Sequence, residues 1–363
     1  MTTWRKYWLW LVAPLDWPLF GVTALLLALA CVALASASPE RLGAHLINIV
    51  TALTLMRIIA QVPPQRMMHF ALPLYLLGVL LLVAVALFGD VAKGARRWLN
   101  LGFMRIQPAE LMKIAMPLML AWYFQKREGV LRWRDWCIAA LLLIAPVALI
   151  ARQPDLGTAV LVCAAGFYVI FFAGLSWKVI FGLLGLAAAA APFAWNMLHD
   201  YQRQRILMLL DPEKDPLGKG FHIIQSTIAI GSGGVFGKGW RQGTQTQLEF
   251  VPERHTDFIF AVWSEEFGLL GNAALLIIYA LLIGRGLQIA LRAPTLFARL
   301  MAGAVTLIFF TYAFVNMGMV AGILPVVGVP LPFLSYGGTA LVTLCLGIGI
   351  LMSIEKNRML MQK

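Results

Sequence analysis

The segment EFVPERHTDFIFAVWSEEFG, from Glu249 to Gly268, places one carboxylate, Asp257, where a long polar stretch gives way to an apolar helix. An alcohol is a poor nucleophile until its proton is being removed, and a positioned carboxylate is suited to removing it. Held at a water–lipid boundary, Asp257 has the placement of a general base acting on a lipid-borne substrate. A second reading stays open, because acidic residues also suit helix N-termini, where they accept from free N–H groups and meet the positive end of the helix dipole.

Other residues of the right type lie elsewhere in the chain. Glu110 and Lys113 stand one helical turn apart just inside an apolar run, where each is costly without a partner. An i, i+3 ion pair is the simplest solution; direct contact of both residues with a substrate is the alternative. Arg152 and Asp155 flank a turn between two apolar runs, where capping and a local ion pair account for them. Glu265 and Glu266 follow Asp257 by about two helical turns and are expected to find partners inside the bundle. Pro325, Pro330 and Pro332, followed by Ser335, Gly337 and Gly338, make a broken segment before the last apolar run. Irregular backbone at membrane depth is tolerated where it lines a cavity or is buried in protein. The segment therefore reads as the floor of a substrate cavity, with Ser335 among the substrate-binding residues, or as a tight packing loop.

Several motifs carry less. GSGGVFGKGW, from Gly231 to Trp240, departs from the P-loop pattern, which needs Gly where Ser232 stands and Ser or Thr where Gly239 stands. Backbone passing close to a headgroup, or a re-entrant turn shielded by protein, explains its glycines better. His255 and Asp257 lack further convergent ligands for a metal, and His222 has no fixed relation to them. Cys31, Cys137, Cys163 and Cys345 all lie in apolar runs without zinc or disulfide spacing.

The elements that must hold these residues are membrane helices. Of 363 residues, 61% are hydrophobic and 13% charged, and the mean hydropathy is +0.81. A bilayer core about 30 Å thick needs roughly 20 apolar residues per helix. Such runs occur near 17–37, 44–62, 69–89, 107–124, 136–151, 157–174, 177–196, 257–284, 298–321 and 338–354. No alternation of the β-barrel kind recurs. The expected fold is an all-α polytopic membrane protein, one domain over 1–363, with about ten transmembrane helices. The first run is expected to stay as a helix rather than be cleaved as a signal.

Cytoplasmic loops of membrane proteins retain Lys and Arg. With the N-terminus in the cytoplasm, that side holds Arg5, Lys6, Arg66, the Lys126, Arg127, Arg132, Arg134 cluster, Lys178, Arg285, Arg292, Arg299, Lys356, Arg358 and Lys363. The C-terminus then also lies in the cytoplasm. A large extracytoplasmic loop, 197–256, separates helices 7 and 8, and the chemically interesting residues crowd the outer face. Lys93, Arg96, Arg97 and Arg105 break the charge rule there, which suits anion binding. The net charge of +12 is accounted for by topogenic residues facing anionic lipid, so no nucleic-acid partner is expected.

GILPVVGVPLPFLSYGGTA (Gly322 to Ala340) resembles the signature of the SEDS family, the shape, elongation, division and sporulation proteins that polymerise peptidoglycan. PERHTDFIFAVWSEEFG (Pro252 to Gly268), GARRWLNLGFMRIQPAELMK (Gly94 to Lys113) and RQPDLGTA (Arg152 to Ala159) are similar to further parts of that family. Arg254, where the division branch would be expected to carry Ala, and the short termini resemble the elongation branch. The resemblance implies a peptidoglycan glycosyltransferase of the bacterial cytoplasmic (inner) membrane, polymerising lipid II at the outer face by inversion, with Asp257 as general base. It also implies a divalent cation, Mg²⁺ or Mn²⁺, with no organic cofactor. Implied partners are the undecaprenyl-pyrophosphate-linked glycan, a class B penicillin-binding protein transpeptidase and the elongation machinery.

A departing lipid pyrophosphate gathers negative charge, and planar guanidinium groups meet phosphate oxygens two at a time. Arg96 and Arg205 lead the outer-face candidates, followed by Arg97, Arg203 and Arg254. Glu110, Lys113 and Ser335 complete the candidate substrate-binding set. Two other classes compete: a lipid II flippase, which would spread polar residues through the whole membrane depth, and a non-catalytic scaffold for wall synthesis, which would leave Asp257 dispensable.

Overall fold

A computed structural model describes residues 15–92, 95–100, 105–129, 131–197, 203–204, 207–209, 211, 220–251 and 253–361. In chain order the helices are α1 (Trp17–Ala37), α2 (Leu42–Ile59), α3 (Pro64–His69), α4 (Ala71–Phe88), α5 (Pro108–Lys126), α6 (Trp133–Arg152) and α7 (Leu156–Phe172). They continue as α8 (Trp177–Met197), α9 (Phe221–Ser232), α10 (Thr244–Gln247), α11 (Ile259–Arg292), α12 (Leu296–Val320) and α13 (Gly338–Met361). Each apolar run read from the sequence is occupied by one of these helices.

Among the described residues seven helices are long and apolar enough to cross a bilayer: α1, α2 with the turn before it, α4, α6, α11, α12 and α13. Two shorter apolar helices, Leu156–Phe172 and Trp177–Phe193, join them. The chain is a multi-pass membrane protein. Large apolar side chains stand exposed along α2, α4, α6, α8 and the second half of α11, where lipid rather than water is their solvent.

Local signals set the helix ends. Asp16 caps α1 by accepting from Leu19 N at 2.9 Å, and Thr295 caps α12 by accepting from Ala298 N at 3.2 Å. α12 is the central strut, buried along most of its length and packed against α5, α7, α11 and α13. α13 lies along α2, and α1 along α11.

Three features depart from a plain helix bundle. The connection after α4 folds into a small antiparallel sheet of β1 (Asp90–Ala92), β2 (Ala95–Asn100) and β3 (Arg105–Ile106), in the order β1-β2-β3. Secondly, the expected loop 197–256 contains α9, whose Ile223, Ser226 and Ala229 are buried and which packs on α11 and α12. Its 12 residues are too few for a span, which needs about 20.

Thirdly, α11 is broken at Gly268, whose φ of 63° and ψ of −158° are non-helical. The glycine-rich stretch after α9 repairs the break. Lys238 N donates to Glu265 O and Gly239 N to Glu266 O, while Leu269 N and Leu270 N donate to Gly234 O and Val235 O. Backbone groups that a broken helix leaves without partners must be satisfied within the protein at this depth. The glycines serve this close approach of backbone to backbone: a Cβ at Gly233 would lie 2.1 Å from Ser264 O.

Candidate active site

Asp257 lies near the end of a run of turns, one residue before Phe258, the N-cap of α11. Three successive main-chain carbonyls of this turn are held from outside it. Tyr336 N donates to His255 O at 2.8 Å, Ser335 Oγ to Thr256 O at 2.7 Å, and Asn316 Nδ2 to Asp257 O at 2.8 Å. The partly buried Asp257 faces the broken segment between α12 and α13: a side chain added at Gly328 would begin 3.4 Å from Asp257 Oδ2. Gly328 also has φ of 72°, a left-handed conformation that glycine adopts freely.

The broken segment is fixed on its other side by the turn between α6 and α7. A Cβ at Gly157 would lie 2.5 Å from Val327 O, so helix α7 begins directly against it. Asp155 caps α7 by accepting from Thr158 N and also accepts from Gln107 Nε2 at 2.9 Å. Arg97 donates to Pro154 O at 2.6 Å and lies 3.9 Å from Asp155.

On the third side the Tyr336 ring stands 6.0 Å from His255 and 5.9 Å from His45, with the Arg41 guanidinium 5.5 Å over its face. Burial, with Arg41 next in effect, holds the His255 imidazole below its ordinary pKa, against the opposing pull of Glu253 and Glu40. Burial likewise lowers His222, which stacks on Phe258. Both rings therefore favour their neutral forms.

The sequence-derived residues divide as follows. Lys113 is buried in α5, donating to Glu110 Oε1 at 2.6 Å and to Tyr312 Oη at 2.5 Å. Beside it a cavity of about 20 Å³ is lined by Ile114, Phe309, Thr343 and Gly347. Arg254 donates to Thr246 O and Glu249 within its own loop, and Arg203 to Trp195 O and Asn196 O at the end of α8. Ser335 binds backbone on both sides, accepting from Leu331 N as well as donating to Thr256 O. Arg96 pairs with Val91 in the small sheet, and Arg205 lies outside the described residues. Asn316 was not singled out from the sequence, although a lone amide in an apolar run was a visible signal.

Glu265 accepts from Lys238, Thr244, Gln245 N and Thr246, and Glu266 accepts from Ser36 at the end of α1 and from Arg241 N. These carboxylates hold the loop that leads to Asp257. Among the described residues no group of three or more His, Cys, Asp or Glu is placed to hold a metal ion.

Fold and site define a multi-pass helical membrane protein that presents a carboxylate on a tightly held turn between packed helix ends. Residues 13–360 match the model of the FtsW, RodA and SpoVE family, described as a cell cycle protein, and the chain belongs to that family. The chain is 52% identical over 358 residues to peptidoglycan glycosyltransferase MrdB of Escherichia coli (strain K12), covering 98% of this chain and 97% of that protein. It is 38% identical over 283 residues to stage V sporulation protein E of Bacillus subtilis (strain 168), covering 77% and 76%. A chain from a peptidoglycan synthase complex in which polymerization and crosslinking are coordinated superposes with a TM-score of 0.83 at 37% identity, covering 94% and 98%. Thermus thermophilus rod shape determining protein RodA gives 0.72 at 32% identity, covering 94% and 97%.

Proposed function

We propose that this chain is a peptidoglycan glycosyltransferase that polymerises lipid II during cell elongation, with Asp257 as general base. The observation that carries the mechanism is the held turn: a carboxylate fixed by its own backbone between the broken segment and the Tyr336 platform. Near-full-length similarity to a protein named as this enzyme supports the activity.

In the proposed reaction the 4-hydroxyl of the acceptor GlcNAc attacks the anomeric carbon of the lipid-linked MurNAc. Asp257 takes the hydroxyl proton as the new C–O bond forms. The bond from that carbon to the pyrophosphate breaks with inversion, and undecaprenyl pyrophosphate leaves. One carboxylate suffices for such a single displacement, and its contribution is typically about 10²–10⁴-fold. Arg96 and Arg205 are the guanidinium groups proposed to meet the pyrophosphate, since Arg203 and Arg254 are already engaged with main-chain oxygens. Mg²⁺ commonly binds through one or two carboxylates plus substrate phosphates, so a divalent cation would be held here chiefly by the pyrophosphate.

The Lys/Arg pattern of the loops supports an outer-face site with both termini cytoplasmic. A structural neighbour within a peptidoglycan synthase complex supports a class B penicillin-binding protein as partner.

The test is glycan-strand formation from purified lipid II by this protein with its penicillin-binding partner, crosslinking being blocked with a β-lactam. Wild type makes strands, and Asp257→Asn and Asp257→Ala, folded normally, fall by about 10² or more. Normal polymerisation by both variants would remove Asp257 from the chemistry.

A further inference from the structure

We infer that Asn316 and Ser335 are positioning residues that fix Asp257 through its backbone, and that neither is a substrate ligand; the inference rests on the function proposed above. Both side chains spend their donor hydrogens on main-chain carbonyls. The buried Asn316 directs both amide hydrogens to carbonyls, to Asp257 O at 2.8 Å and to Val329 O at 2.7 Å. Its Oδ1 is buried without a partner, and reversing the amide would set that oxygen against two carbonyl oxygens. The orientation is therefore chemically determined. Ser335, also buried, gives its one proton to Thr256 O and receives Leu331 N–H at 2.7 Å.

Each of these side chains joins two otherwise separate stretches of backbone. Asn316 ties residue 257 to residue 329, and Ser335 ties residue 256 to residue 331. Gly328 stands one residue before the tie at 329, and a Cβ built on it would lie 3.4 Å from Asp257 Oδ2. The two clamps consequently set the separation between the carboxylate and the wall opposite it. Asn316 is carried by α12, the most extensively packed helix, so the clamp has a rigid base. The turn itself has no helical or sheet ladder to hold it, and buried carbonyls left without donors would shift toward other partners.

Placement matters because reacting atoms must approach to about 3–3.5 Å, and a displacement of about 1 Å costs on the order of 10²-fold in rate. A positioning residue acts on that geometry and not on affinity. Its loss lowers kcat, whereas loss of a substrate ligand that binds ground and transition states alike raises KM.

The experiment is steady-state polymerisation of lipid II by the full chain with its penicillin-binding partner, for Asn316→Leu, Ser335→Ala and Ser335→Thr, normalised to folded protein. Asp257→Asn is run in parallel. Asn316→Leu and Ser335→Ala are expected to lose roughly 10- to 100-fold in kcat with KM within about twofold of wild type. Ser335→Thr, which keeps the hydroxyl, recovers most of the rate. If Asn316→Leu fails to fold, the Ser335 pair decides. A raised KM with kcat intact would make these residues substrate ligands and overturn the inference. Unchanged kcat per folded molecule would reduce them to packing residues and also overturn it. An active Asp257→Asn is a separate result that strikes the proposed base itself.

Discussion

A Cβ built on Gly268 would lie 2.4 Å from the main-chain nitrogen of Gly237, so two stretches of backbone meet there with no room for a side chain. The φ of 63° with ψ of −158° at Gly268 is also a region that essentially glycine alone occupies. Gly268→Ala combines about 1–3 kcal/mol of backbone strain with a backbone collision. It is expected to lower the melting temperature of the detergent-solubilised protein and its folded yield, as is Gly237→Ala, whose Cβ would lie 2.1 Å from Glu266 O. Gly284→Ala, with open space around its Cβ, is the control and should melt like wild type. Equal melting of all three variants would mean that the break in α11 is not held by this contact.

The His255 imidazole is held below its ordinary pKa by burial first and by Arg41 second. In the window between the folded value and the ordinary one, near 6.5, the unfolded chain binds more protons than the folded one. Stability therefore rises with pH through that window and is lost as pH falls below about 6.5. Melting temperature followed from pH 8 down to pH 5 should drop, and His255→Asn should flatten part of that fall. The remainder belongs to groups such as His222, shifted in the same direction. A profile for His255→Asn as steep as that of wild type would assign the dependence elsewhere.

What could be read from the sequence followed the physics of each signal. Length and hydropathy are direct consequences of bilayer thickness, and the helices fall where the apolar runs do, α1 at Trp17–Ala37 included. The break at Gly268 was hidden because the apolar run continues through it and one glycine in such a run is ordinary. α9 was missed for the opposite reason, since FHIIQSTIAIGS is too short to span and its partner surface lies on distant elements. The small sheet at 90–106 pairs residues through backbone that carries no hydropathy signature. At the site, types were legible and pairings were not. Asp257, Glu110, Lys113 and Ser335 stood out, whereas the Asn316 clamp depends on α12 meeting residue 257 across 59 positions of chain.

Lys113, Glu110 and Tyr312 form one buried cluster, and its energetics separate the two roles open to the pair. Lys113 is 3% exposed and touches Glu110 at 2.6 Å and Tyr312 Oη at 2.5 Å. Glu110 Oε2 is buried without a partner, so the cluster is not saturated. Removing one member of a buried ion pair leaves the other charge uncompensated, a loss of about 3–5 kcal/mol, whereas replacing both with groups of similar shape is often near neutral. Lys113→Met alone is expected to lower the melting temperature strongly. Adding Glu110→Gln should restore much of that loss, because neither member of the pair then carries an uncompensated charge. Polymerisation by the double variant decides the role. Activity recovering with stability marks the pair as a strut that holds α5 against α12. A stable double variant that stays inactive marks Lys113 or Glu110 as touching the substrate, with the cavity of about 20 Å³ beside Lys113 as the place to look.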